Sequence, residues 1–504
     1  MRLASFRKPC FRLFLSALLI LGLSGCAHNM LIKPGEPSHA LMRVEGTRLS
    51  EHARNSLAGA AADTSALHLL VDGQQALVAR LALIERAERS LDVQYYIWRA
   101  DDSGHLLATA LWQAAVRGVR VRILLDDWGS RPTDEELGLL ASHPNIEVRL
   151  FNPLSRRWSP ALALLLDFER GNRRMHNKAL IADNQAAIVG GWNVGNEYFE
   201  TGTEFVFSDL DVLAVGPVVP QVSAGFDRYW NSPYALTVGS PRSPDPALHT
   251  VPQANALNAA RADFGRRLDT GQLTFYRGRA VALYDDPMKL DAVNQNQAGS
   301  NLGCQIAQVV GAPAREVFLV SAYFVPGAGG TEQLSAFRRR GIRVVVVTNS
   351  LAATDVPAVH AGYARYRKPL LQEGVELYEV RPDPTQAPQN IGRPGSSRVS
   401  LHAKLMVVDR RSTLIGSMNI DPRSVVLTTE NGIVMDSPEL AEAIVAGTER
   451  LLGSAAYRLS LDEGRLHWHA SGDTPATLAT EPGTGWWRRL SAWLLSWLDI
   501  EAWL

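Results

Sequence analysis

The sequence predicts an α/β protein built from two copies of one lobe, each a mixed β-sheet flanked by helices, with the active site between the lobes. Three observations predict it. Strand and helix patterns alternate in β-α-β order, that order occurs twice, and one polar motif recurs at a constant offset of 226 positions. A chain of 504 residues has room for two or three domains, and 46% hydrophobic with 20% charged residues is the make-up of a packed globular body.

Taken in order, residues 1–26 read as a targeting segment. Arg2, Arg7, Lys8 and Arg12 precede the apolar run 13–23, and Leu23-Ser24-Gly25-Cys26 follows. That last run resembles the lipobox of bacterial lipoproteins, in which the Cys is acylated. An uncleaved membrane anchor is the alternative. Either reading puts the body in the cell envelope, outside the cytoplasm, and Ala27 rather than Asp after the Cys favours the outer membrane by similarity to lipoprotein sorting. Residues 27–66 lack periodicity and read as a tether.

The first lobe, 67–235, opens at His68-Leu69-Leu70-Val71. Leu77, Leu81 and Ile84 are spaced for a helix, and 91–97 alternates as a strand. A helix over 106–117, Gly118 and a strand over 119–125 complete the unit. The second lobe, 301–460, repeats it. Strand 317–324 answers the first strand, with Tyr323 opposite Tyr96, and 341–344 answers 118–121. A repeat this long is domain duplication, not a solenoid. The Pro-, Ala-, Asn- and Gln-rich stretch 236–300 reads as a connector with some helix. Residues 461–504 read as a linker and a Trp-rich amphipathic helix, with Trp486, Leu490, Trp493, Trp497 and Leu504 on one face and Arg488, Arg489 and Asp499 elsewhere. It is too short and charged to span a bilayer, so an interfacial helix and a helix docked on the second lobe both fit.

Charge narrows the function. With 51 basic and 51 acidic residues there is no basic excess for general nucleic-acid binding. The chain uses Arg heavily but keeps only six lysines, two of which fall in the repeated motif as Lys178 and Lys404. A compact ammonium does chemistry that a planar guanidinium does not. Three cysteines, Cys10, Cys26 and Cys304, imply no disulfide framework, and Cys304 reads as a small buried hydrophobe.

The motif is His176-Asn177-Lys178 with Asp183 and then Gly190-Gly191-Trp192-Asn193. Its second copy is His402-Ala403-Lys404 with Asp409 and then Gly416-Ser417-Met418-Asn419. Residues two apart on a strand share a face, so each half offers an imidazole and an ammonium together. The glycines allow close backbone approach, and Asn193 and Asn419 add amide donors. Facing halves would surround one negatively charged phosphate with two of each group. Asp183 and Asp409 belong to the candidate catalytic set, although Asp at a hairpin turn is favoured for conformation alone. Without a gap, the register runs on to Glu204 and Glu430, each 28 positions after its His.

This pattern resembles the phospholipase D superfamily, over residues 68–455. Within it the chain is most similar to the bacterial cardiolipin synthases of the C type, through Asn172–Lys178, Asn196–Phe199, 354–360 and Ser417–Ser424. Trp192 and Asn196 depart from the pattern of that subgroup, at positions where Arg and Asp stand. The resemblance implies a duplicated phospholipase D fold and phosphatidyl transfer between phospholipids at a membrane, giving cardiolipin, with no cofactor and no metal. Hydrolysis to phosphatidate is the alternative, and a nuclease of the same superfamily a more distant one. It also implies His176 as nucleophile forming a phosphohistidine, His402 as acid/base, Lys178, Lys404, Asn193 and Asn419 as phosphate ligands, and Glu204 and Glu430 as the acids orienting the histidines. Outside the motif, His360 reads as a surface or secondary-site residue. The apolar run 161–168 reads as a core helix or an acyl-chain entrance.

Overall fold

The computed structural model describes residues 32–497, apart from 43, 131–133, 155–167, 200–205, 240–254, 292–300, 382–398 and 472–474. The targeting segment with Cys26, the run 161–167 and Glu204 therefore lie outside the described residues.

Both lobes share one continuous mixed sheet of 19 strands. In the first lobe, strands β3 (Ser90–Tyr95), β4 (Arg120–Asp126) and β5 (Ile146–Phe151) run parallel. On the other side of β3 come antiparallel β7 (Ala179–Ala182), β8 (Ala186–Gly190), β10 (Asp211–Val215) and β2 (Thr64–Leu70). The second lobe repeats this as parallel β13 (Glu316–Ser321), β14 (Arg343–Asn349) and β15 (Glu376–Val380), then antiparallel β17 (Lys404–Val408), β18 (Ser412–Gly416), β20 (Asn431–Asp436) and β12 (Tyr276–Tyr284). Strands β2 and β12 pair antiparallel and join the halves across a local two-fold. The predicted mixed sheets are there, fused edge to edge.

Fusion follows from burial. Residues of β3, β4, β13 and β14 are buried, as strands covered on both faces must be. Helices Gly73–Arg86 and Asp102–Val116 cover one face in the first lobe. Helices Val218–Trp230 and Pro438–Ala455 lie in a second core that draws residues from both lobes, including Leu124, Phe226, Val345 and Val445.

Four expectations fail. Residues 27–66 are not a tether from Ile32 onward: β1 (Ile32–Pro34) pairs with β11 (Ala235–Val238), and helix Arg48–Ser56 carries a capping box from Thr47 and Ser50. Buried arginines hold the strap, Arg149 donating to the Glu36 carbonyl and Arg122 to that of Ser38, with Trp230 Nε1 on Ser38 Oγ. Polar contacts made far along the chain leave no hydrophobic periodicity, so the segment read as unstructured. The stretch 236–300 is likewise more than a connector, since it supplies β12, the strand at the junction, and helix Asn255–Asp269. His360 is buried beside Arg367 and Glu481 rather than on the surface, and Cys304 is only partly buried.

Candidate active site

The two motifs meet through crossed strands. The short strand β6 (Arg174–Met175), just before His176, pairs in parallel with β19 (Thr428–Thr429) of the other lobe. Symmetrically, β16 (Val399–Leu401), just before His402, pairs with β9 (Val206–Ser208). The backbone N–H of His176 donates to the Thr429 carbonyl at 2.9 Å, and that of His402 to Ser208 at 2.7 Å. Each catalytic candidate is thus held by the opposite half. Regular strand begins only at Ala179 and at Lys404, slightly later than the spacing implied.

The next residue on each crossing strand is an acid. Glu430 Oε2 lies 2.8 Å from His176 Nδ1, and Asp209 Oδ2 lies 2.5 Å from His402 Nδ1. Glu430 was expected as an orienting acid. The partner of His402, however, is Asp209 and not Glu204, because the first lobe carries five more residues between motif and acid. The sheet supplies the true register: Asp211 lies opposite Gly190 as Gly432 lies opposite Gly416, and the acid stands two residues before each. Counting back from that strand would have found Asp209; an ungapped alignment does not.

A compensating exchange accompanies the shorter acid. Glu430 accepts hydroxyl bonds from Ser417 at 2.5 Å and Thr428 at 2.7 Å. In the first lobe Gly191 takes the place of Ser417, and a Cβ there would stand 2.3 Å from both carboxylate oxygens of Asp209. The missing side chain makes the room that the shorter acid fills.

Burial sets the electrostatics. Desolvation, together with the Lys178 charge and against the pull of Glu430, lowers the His176 imidazole to about 4. Desolvation and Lys404 lower His402 to about 4. Desolvation, with repulsion from Lys404, brings the Lys178 ammonium down to about 7, and desolvation lowers Lys404 against the pull of Asp209 and Glu430. Burial alone would raise the Glu430 carboxyl, but His176 and Lys178 outweigh it and hold it at about 2; Asp209 is also held down, by Lys404 and His402. Both imidazoles are therefore neutral at pH 7. With Nδ1–H donated to a carboxylate, the lone pair of each neutral ring lies on Nε2. Four basic groups gathered here, three of them depressed by a neighbouring ammonium, form a site for an anion.

The remaining groups set its walls. Lys178 Nζ donates to the His176 carbonyl at 2.6 Å, and Lys404 Nζ makes the matching bond to His402. Asn193 Oδ1 accepts from the Ile97 N–H at 3.2 Å, leaving Nδ2 buried without a hydrogen bond; Asn419 Oδ1 accepts from Tyr323 N–H at 3.3 Å. Rings sequence reasoning did not assign press edge-on against the histidines, Tyr96 on His176 at 5.0 Å and Tyr198 on His402 at 5.7 Å between centroids. Asn431 also went unassigned, and its side chain clasps the Lys178 backbone at 3.1 Å.

Asp183 and Asp409 are displaced from the catalytic set. Each opens a pair of left-handed residues at the β7–β8 or β17–β18 hairpin, with φ of 54° and 56°. Each carboxylate accepts three backbone N–H groups, from Glu88, Arg89 and Ser90 or from Ala314, Arg315 and Glu316. Five residues of extended chain put Asp183 about 16 Å from Lys178. Of the two departures, Trp192 is buried in the first-lobe core, and Asn196 accepts from the Ser103 N–H and hydroxyl.

Comparison with known proteins agrees with this geometry. The family described as cardiolipin synthase, PLD-like domain, matches residues 81–230 and 307–452, one match per lobe. Cardiolipin synthase C of Escherichia coli (strain K12) is 42% identical over 448 residues, covering 85% of this chain and 94% of that protein. An uncharacterized protein of Helicobacter pylori (strain ATCC 700392 / 26695) is 36% identical over 80% of each chain. The crystal structure of a phosphatidylserine synthase from Haemophilus influenzae Rd KW20, 13% identical, overlies 90% of this chain and 100% of its own with a TM-score of 0.57, a likeness of fold. With both lobes matched and a relative at 42% identity over nearly its full length, the chain belongs to the cardiolipin synthase family of phospholipase D-like proteins.

Proposed function

We propose that the protein is a phosphatidyltransferase that makes cardiolipin, passing the phosphatidyl group of one phospholipid to the free alcohol of phosphatidylglycerol. The observation that carries this reading is the crossed pair of imidazoles, each with Nδ1 tied to an acid of the other lobe. His176 Nε2 attacks phosphorus, the bond to the head-group oxygen breaks, and His402 delivers the proton that the leaving alkoxide needs. His402 then takes the proton of the acceptor alcohol, whose oxygen attacks phosphorus as the N–P bond breaks. Lys178, Lys404 and the Asn193 and Asn419 amides neutralise the phosphoryl oxygens. The anionic phosphodiester also raises the pKa of the imidazole that must act as acid, so the proton arrives with the substrate.

Cys26 is the proposed site of acylation, which would hold the body in the envelope, facing the periplasm, with the outer membrane favoured. Among the described residues no helix is long and apolar enough to cross a membrane. The test is a mass-spectrometric lipid profile of wild type, His176→Ala and His402→Ala on vesicles of phosphatidylglycerol and phosphatidylethanolamine. Cardiolipin from the wild type alone supports the transferase. Phosphatidate instead makes water the acceptor, and no lipid product refutes the reading.

A further inference from the structure

One apolar surface is left unused by the chemistry. The helix Trp486–Leu495 packs against the second-lobe helix Pro357–Ala364 through its buried Ala492, and its tryptophans point away from the body. Trp486, Trp487, Trp493 and Trp497 are 62%, 67%, 55% and 74% exposed, and Leu494 beside them is also exposed. They are ordered into two pairs, Trp486 stacked on Trp487 at 3.7 Å and Trp493 edge-on to Trp497 at 5.3 Å. A monomeric soluble surface does not normally gather four indoles on one short helix and the turn just beyond its cap.

The helix is pinned to the loop that carries Thr354 and to the segment that carries Glu481. Arg488 donates to the Thr354 carbonyl at 2.5 Å, Arg489 donates to Thr484 and to the Glu481 carbonyl, and Arg365 reaches the Ser496 carbonyl. Glu481 is itself tied to the buried Arg367 at 2.6 Å. The neighbour of Thr354 is Asp355, whose carboxylate accepts the Tyr323 hydroxyl at 2.9 Å, and the Tyr323 N–H holds the phosphate-ligand candidate Asn419. Asp355 also lies within the field felt by Lys404. One loop thus separates the indoles from the reacting groups.

We propose that this helix is a lipid-surface docking element that seats this side of the second lobe, next to the loop tied to the active site, on the phospholipid bilayer from which substrate is drawn. Indole rings, apolar in body and polar at one tip, suit the head-group boundary better than an aliphatic protein interface. Ten residues cannot span a bilayer but can lie along it. A lipid anchor would hold the chain near a membrane without orienting it; the helix fixes which side faces the lipid. The proposal rests on the phospholipid reading of the active site.

Its test compares the full chain with a variant carrying Trp486→Ser, Trp487→Ser, Trp493→Ser and Trp497→Ser on two substrates. One is bilayer vesicles of phosphatidylglycerol and phosphatidylethanolamine; the other is short-chain phosphatidylglycerol kept monomeric in solution. The variant is expected to lose about tenfold or more of its rate on vesicles and to keep its rate on the monomeric lipid. Equal rates on vesicles overturn the proposal, as does an equal loss on both substrates, which would make the helix part of the catalytic body. A dimer that the variant abolishes would assign the face to a second copy and overturn it too. Independently, vesicles with brominated acyl chains should quench the fluorescence of the unmodified protein more than that of the variant, and equal quenching overturns the docking role. If the wild type acts on neither lipid but is quenched, the phospholipid chemistry fails while the docking surface stands.

Discussion

Replacing Asp209 by Asn separates the register given by the sheet from the register given by the motif. Asp209 is fully buried, 2.5 Å from His402 Nδ1, and 4.0 Å from Lys404 Nζ. An amide of the same size removes one charge-assisted hydrogen bond, worth about 2 to 3 kcal/mol, so kcat should fall roughly 30- to 150-fold. The fall should sit toward the upper end, because an Asn amide can donate to Nδ1 and drive the imidazole proton onto Nε2, where the lone pair is needed. Less positive charge is then supported in the pair, and Lys404 loses its proton at lower pH. The assay is cardiolipin formation in single turnover over a pH series, with Glu204→Gln alongside. Glu204→Gln should stay within about twofold of wild type. A silent Asp209→Asn together with a crippled Glu204→Gln would refute the crossed-acid arrangement and restore the ungapped register.

Three further expectations follow from the same geometry. Lys178 titrates at about 7, so its ammonium is present below that pH and lost as pH rises through it; kcat/KM should fall on the alkaline side of about pH 7, and Lys178→Arg should remove that limb while lowering the rate, as measured in pH–rate profiles. Asp183→Ala removes a buried carboxylate that holds three backbone N–H groups, that of Ser90 buried, and should cost about 2 to 3 kcal/mol in denaturant unfolding, whereas the more exposed Asp409→Ala should cost less; loss of catalysis without loss of stability would return these residues to the active site. Gly191→Ala drives a methyl into the Asp209 carboxylate at 2.3 Å and should lower kcat about as much as Asp209→Asn does, while Ser417→Ala, which only removes a hydroxyl from Glu430, should be milder.

The sequence by itself determined the duplication, the α/β lobes and the two His-Lys-Asn sets, because each is encoded locally. Periodicity over 77–84 and 91–97 is written by neighbouring residues, and so is the spacing from His176 to Asn193. It also presented Glu430 as an orienting acid, without saying that it serves the histidine of the other lobe. Tertiary structure alone decided that crossing, since β6 pairs with β19 and β16 with β9 only once the halves face each other. It moved the second acid from Glu204 to Asp209, because sheet register absorbs an insertion that a linear count cannot see. It removed Asp183 and Asp409 from the chemistry, because a motif position says nothing about which end of a strand a carboxylate occupies. Residues 32–56 and 276–284 went unread for a related reason. Their order comes from partners such as Arg149, Trp230 and β20, between 113 and 192 positions away, and no local pattern carries such contacts.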